Sequence, residues 1–105
     1  MKDTNDVLKI TKLAEAGDVA AMIDLARRYE GGLGVDKDVY TSFWWWKKAA
    51  DAGSADAQYE VSVWYTDGVH CVPDYQKSVF YCKRAAMQGH EEAIEYLEVL
   101  SAWDV

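Results

Sequence analysis

Four side chains of this 105-residue chain are of types that ligate zinc or act as nucleophile and base: His70, Cys71, Cys82 and His90. A structural zinc site takes its ligands in closely spaced pairs on one turn or loop. Here only His70 and Cys71 are close in sequence, and the four together match no such pattern. A Cys–His dyad needs the two groups within hydrogen-bond reach, and adjacent loop residues point apart. A disulfide needs Cα atoms within roughly 7 Å. Cys71 belongs to a loop and Cys82 to the buried side of the following helix, so both are read as reduced thiols. Acidic residues abound, but none is expected in a dry cleft that would raise its pKa for proton transfer. Gly31 to Gly34 is followed by no lysine-bearing helix start of the phosphate-cradling type. No catalytic residue, metal site or cofactor is therefore expected, and the chain is not read as an enzyme.

Composition narrows the remaining classes. Half of the residues are apolar and the length suits one domain with its own core, without metal or disulfide staples. The start, Met1-Lys2-Asp3-Thr4-Asn5-Asp6, is charged and polar, and no apolar run reaches the ~7–15 residues of a signal-peptide core or the ~20 of a membrane span. A cytoplasmic protein without membrane contact is expected. The formal charge of −7 opposes nucleic-acid binding, which draws its affinity from Lys and Arg. A basic protein, or one with a basic segment, is the expected partner.

The elements that position these residues follow from a repeat. Gly17, Gly53 and Gly89 stand 36 residues apart, and Ala49-Ala50-x-x-Gly53 returns without a gap as Ala85-Ala86-x-x-Gly89. The same shift pairs Ala21 with Ala57, Tyr29 with Tyr65, Gly32 with Gly68, Asp38 with Asp74, Ser42 with Ser78 and Lys47 with Lys83. A fixed period of this size marks stacked repeats, each one supersecondary unit. Apolar and small residues recur at helical spacing twice per unit, at Ala21, Met22, Leu25, Ala26 and Tyr29, then at Val39, Ser42, Phe43, Trp46, Ala49 and Ala50. Gly31-Gly32 and Asp67-Gly68 break the helix, Asp38 and Asp74 cap the next, and Gly17, Gly53 and Gly89 suit a left-handed helix end. Asp18 and Ser54 then supply the following caps.

Val7, Ile10, Leu13 and Ala14 fit the register of Phe43, Trp46, Ala49 and Ala50, while Ala93, Ile94 and Leu97 fit that of Ala21, Met22 and Leu25. Two half repeats (1–16 and 89–105) thus flank two whole ones (17–52 and 53–88). The expected fold is all-α, an α/α solenoid of six helices near 4–16, 18–30, 38–52, 54–66, 74–88 and 90–102. Ala26 and Ser62 are small enough for close helix approach, whereas the matching Glu98 provides a polar end. On propensity alone Val61-Ser62-Val63-Trp64-Tyr65-Thr66 reads as a strand, but its register twin Leu25 to Glu30 is a good helix former, and the register is given precedence.

Tyr29-x-x-Gly32-x-Gly34-Val35-x-x-Asp38 and Trp45-x-x-Lys48-Ala49-Ala50-x-x-Gly53 resemble the Sel-1-like repeat. The second copy keeps Gly68, Asp74, Arg84, Ala85, Ala86 and Gly89, but has His70-Cys71 for Gly-Val and Tyr81 for Trp. The resemblance spans almost the whole chain and implies a tetratricopeptide-like solenoid from a family of adaptors, scaffolds and regulators. It leaves function open.

Two surfaces emerge as candidates. The first helices of the units and their turns hold ten acidic residues against Arg27 and Arg28, so nearly all the net charge lies on one layer. Helix-dipole matching accounts for acids at helix starts but not for Glu60, Glu95 or Glu98. The resemblance implies that these helices line a concave groove through Ile23, Asp24, Arg27, Glu30, Asp56, Tyr59, Glu60, Val63, Glu92, Glu95 and Val99. On this reading Tyr59, Val63 and Ile23 anchor a partner among carboxylates, and Arg27 orients a partner carboxylate. An inhibitor or immunity-type protein that neutralises a basic enzyme is a sharper form of it. The second surface arises because Trp44-Trp45-Trp46 turn by roughly 100° per residue and cannot share one face. Trp46 lies on the core stripe with Cys82 as its twin, Trp45 sits at the flank with Tyr81, and Trp44 points outward in register with Leu8 and Phe80. Lys12, Lys48 and Arg84 follow these three at i+4, where a stem or cation can cover the apolar group. A stripe through Leu8, Trp44 and Phe80 would alternatively serve self-association, giving a homodimer or larger assembly.

Overall fold

The computed structural model describes residues 2–68 and 70–102. They form six helices, α1 (Lys2–Glu15), α2 (Val19–Gly31), α3 (Val39–Asp51), α4 (Ala55–Asp67), α5 (Tyr75–Met87) and α6 (Glu91–Ala102), with no strand among the described residues. The outermost residues of the expected half repeats, Met1 and 103–105, lie outside the described residues.

Local chemistry explains the boundaries. The carboxylates of Asp18, Asp38 and Asp74 and the hydroxyl of Ser54 each accept a hydrogen bond from a backbone N–H of the first turn that follows. These bonds satisfy donors that a helix start would otherwise leave open. The period persists in the backbone bonds between helices. Asp38 N–H donates to Tyr29 O and Asp74 N–H to Tyr65 O, both at 2.9 Å, while Asp18, Ser54 and His90 N–H donate to Leu13, Ala49 and Ala85 O at 3.0–3.2 Å. Val61 to Thr66 lies within α4, where Val61, Ser62 and Tyr65 are buried. Packing between layers outweighs the β propensity of this run.

Each helix packs chiefly on its neighbours in sequence, and the molecule measures 52 × 26 × 18 Å, as stacking of helix pairs requires. Leu25, Ala26, Trp46, Ala49, Ala50 and Val61 belong to the larger apolar cluster, and Cys82, Ala85, Ala93 and Leu100 form the smaller one. Small residues bring paired helices close enough for hydroxyl-to-backbone bonds. Ser42 Oγ donates to Ala26 O at 2.6 Å, and 36 residues later Ser78 Oγ donates to Ser62 O at 2.8 Å.

Two expectations need correction. Trp45 and Tyr81 are not flank residues, being only 7% and 6% exposed. The position is covered from its own unit and from the one before it: Tyr81 stacks on Tyr65 of the paired helix α4 with centroids 6.1 Å apart and donates its hydroxyl to Asp51 of α3 at 2.8 Å. Burial and that bond raise the Tyr81 pKa well above the usual tyrosine value. Leu13 and Ile94 match core positions in register yet are exposed, because α1 and α6 each have one neighbouring helix rather than two.

Candidate functional site

Three of the acidic residues singled out from the sequence, Glu30, Asp56 and Glu92, act on a fourth, Glu60. This residue is half-buried in α4, and its pKa is raised above the ordinary glutamate value, first by burial and then by Glu30, Glu92 and Asp56, with Arg27 opposing them. Like charges around a partly desolvated carboxylate disfavour its ionised form. Residues of α2, α4 and α6 therefore share one negative field. Arg27 is the base within it, and its guanidinium carbon stands 5.5 Å over the Trp46 ring. Trp46 Nε1 in turn makes a long 3.5 Å bond to Glu30 Oε1.

Tyr59 ties α4 to α6. Its ring stacks on His90 at 5.1 Å and meets Tyr96 edge-on at 5.9 Å. Burial, followed by the charges of Glu92 and Glu60, raises its phenol pKa. His90 Nδ1 accepts from Ala93 N–H at 3.1 Å and so caps α6, while Nε2 lies 2.9 Å from Asp56 Oδ1. With Nδ1 an acceptor, Nε2 carries the proton donated to Asp56. Sequence reasoning missed this role because histidine is not an expected N-cap; its position 36 residues after Ser54 was the available signal.

The other predicted groove residues are less closely joined. Val63 lines a pocket with Glu30, Trp64, Asp67 and His70. Ile23 packs against the larger core cluster. Asp24 holds Arg28 at 2.8 Å, which neutralises both. Glu95 and Val99 are exposed on α6, with no described contact to the Glu60 cluster.

On the second surface Leu8, Trp44 and Phe80 are 56%, 52% and 53% exposed. Lys48 Nζ stands 5.0 Å over Trp44, and Arg84 stands 5.4 Å over Phe80. Trp44 meets Trp45 edge-on as Phe80 meets Tyr81, so the two rings repeat one arrangement.

The residues first considered for chemistry fall at two places, His70 with Cys71 beside Trp64 and Cys82 with His90 beside Ala93. His70 leans on Trp64, Cys71 Sγ donates to Trp64 O at 3.4 Å, and Cys82 Sγ donates to Ala93 O at 3.2 Å. No group of three His, Cys, Asp or Glu converges on a common point among the described residues. Burial raises both thiol pKa values, with Ser62 partly opposing it at Cys82. No described helix is long and apolar enough to cross a membrane.

A family model described as "Sel1 repeat" matches residues 19–54 and 55–90. The crystal structure of a Sel1 repeat protein from Oxalobacter formigenes superposes with a TM-score of 0.82 at 30% identity, over 88% of this chain and 69% of that one. The crystal structure of c5321, a protective antigen present in uropathogenic Escherichia coli strains and displaying an SLR fold, also superposes with a TM-score of 0.82, at 26% identity. That match covers 93% of this chain but only 21% of the antigen. No curated protein matches the chain.

Proposed function

The chain belongs to the Sel1 repeat family, and on that premise we propose that it is a non-enzymatic module holding a basic segment of a partner protein on the α2, α4 and α6 face. Sel1 repeats generally mediate protein–protein interaction. The observation that carries the reading is Glu60, a half-buried carboxylate under the charges of three further acids with one arginine opposing them. A partner cation relieves that unfavourable field on docking, and complementary charge speeds and steers the encounter. Tyr59 and Val63 supply apolar contact beside the charges. The same face suits an inhibitor or immunity-type protein that covers a basic enzyme. A cytoplasmic location belongs to this proposal as well.

The test is capture of a partner from the native cell, followed by titration of that complex against salt. Affinity should fall steeply as ionic strength rises. Salt-independent binding would remove the electrostatic basis of the proposal.

A second reading rests on the half-exposed Leu8, Trp44 and Phe80, which on a monomer suit an interface between copies. Sedimentation of the wild type beside Trp44→Ala decides it. A concentration-dependent dimer lost in the variant supports it, and an unchanged monomer in both ends it.

A further inference from the structure

One pocket lies where the expected first repeat meets the second, between the C-terminal ends of α2 and α4. Its volume is about 210 Å³ and its walls are Glu30, Val63, Trp64, Asp67 and His70. Phe43 stacks on Trp64 at 5.2 Å with the rings 18° apart, and His70 leans against the same indole at 5.4 Å and 53°. The aromatic part of the wall is thus buttressed before any ligand arrives. Neither Glu30 nor Asp67 is held in an ion pair among the described residues.

The repeat register makes this combination informative. Trp64, Asp67 and His70 stand where the preceding unit has Arg28, Gly31 and Gly34. The fold is built in that unit without an indole, a carboxylate or an imidazole at these positions, so the helix pair does not require them. They depart from the repeat together and line one cavity.

We infer that this pocket receives an arginine side chain of the partner, with its guanidinium between the Glu30 and Asp67 carboxylates and against the Trp64 and His70 rings. Arginine fits this wall better than lysine. Its planar fork meets carboxylates bidentately and stacks on aromatic rings, whereas an ammonium is a compact, strongly hydrated point charge. The inference rests on the proposal that the neighbouring face docks a basic segment, and it adds the residue type that fixes the segment's register.

Two short peptides of equal charge, one with arginines and one with lysines, separate the possibilities when titrated into the full chain at low salt. Nuclear magnetic resonance would follow the Trp64 indole N–H and the His70 ring. The arginine peptide should bind at least ~3-fold more tightly, shift both signals, and lose roughly 10-fold in affinity for the Glu30→Gln/Asp67→Asn variant. Equal affinity for the two peptides, or an arginine peptide that binds the variant as well as wild type, overturns the pocket assignment and leaves the acidic face standing. Failure of both peptides to bind wild type overturns the face and the pocket together. A thermal melt of the variant matching wild type shows that any lost affinity is not lost folding, and the wild-type Trp64 shift reads the pocket without any substitution.

Discussion

The imidazole of His90 lies stacked on the phenol ring of Tyr59, with centroids 5.1 Å apart and planes 26° apart. One side chain thereby caps α6 through Nδ1, bonds Asp56 of α4 through Nε2 and backs a residue of the candidate face. In the preceding register position Ser54 caps its helix alone.

Loss of that cap has a graded consequence. His90→Ala should destabilise the protein by about 1–2 kcal/mol, because it leaves the Ala93 N–H unpartnered and removes the stack. His90→Asn should recover most of the loss, since asparagine is a good cap but cannot reproduce the ring contact. Urea unfolding of the three proteins checks the order, and amide exchange should show the Ala variant opening first in α6.

Two glycines separate backbone strain from collision. Gly53 has φ +109° with open space where an added methyl would sit, whereas Gly68 has φ +63° and a Cβ there would collide with the Pro73 ring at Cγ. Gly53→Ala should cost about 1–2 kcal/mol from conformation alone, because φ +109° lies outside the left-handed helical region, while Gly68→Ala should cost about 1 kcal/mol from conformation and at least ~1 kcal/mol more from the clash. Thermal denaturation of the two variants measures both losses; a Gly68→Ala loss of no more than ~1 kcal/mol would mean that Pro73 gives way freely.

Glu60 predicts opposite effects on stability and binding. Its folded pKa is raised, so the folded chain takes up this proton at higher pH than the unfolded chain. Its favourable contribution is complete below the unfolded glutamate value and is lost as pH rises through the folded value. Glu60→Gln should therefore flatten the stability profile across that window and stabilise the neutral-pH protein by about 0.5 kcal/mol, a gain kept small by solvent screening. The same variant should bind a basic partner more weakly. Denaturation at several pH values, paired with one binding titration, checks both signs.

Thiol chemistry offers a fourth check. Both cysteines have pKa values raised by burial, and the thiolate is the reactive species. At neutral pH Cys71 should alkylate more slowly than a free thiol, and the fully buried Cys82 only on unfolding. Mass spectrometry after timed iodoacetamide treatment reads the two sites separately. Rapid labelling of native Cys82 would contradict its place between α5 and α6.

The sequence by itself determined the six helices and their order, because caps, helix-ending glycines and 36-residue recurrence act through neighbours in the chain. Asp18, Asp38, Ser54 and Asp74 are legible as caps for that reason, and Ala26 and Ser62 are legible as points of close helix approach because a small residue recurs there; the Ser42 and Ser78 hydroxyls bond to their carbonyls. The outward turn of Trp44 and Phe80 follows from helical geometry alone. Only the tertiary structure decided what happens between layers. Trp45 and Tyr81 are buried, His90 joins Tyr59 to Asp56, and Glu30 meets Asp67 and His70 around one pocket. Those contacts depend on how far each helix pair rotates on the one before it, and that rotation is set by side-chain packing across the stack, which a linear period does not encode.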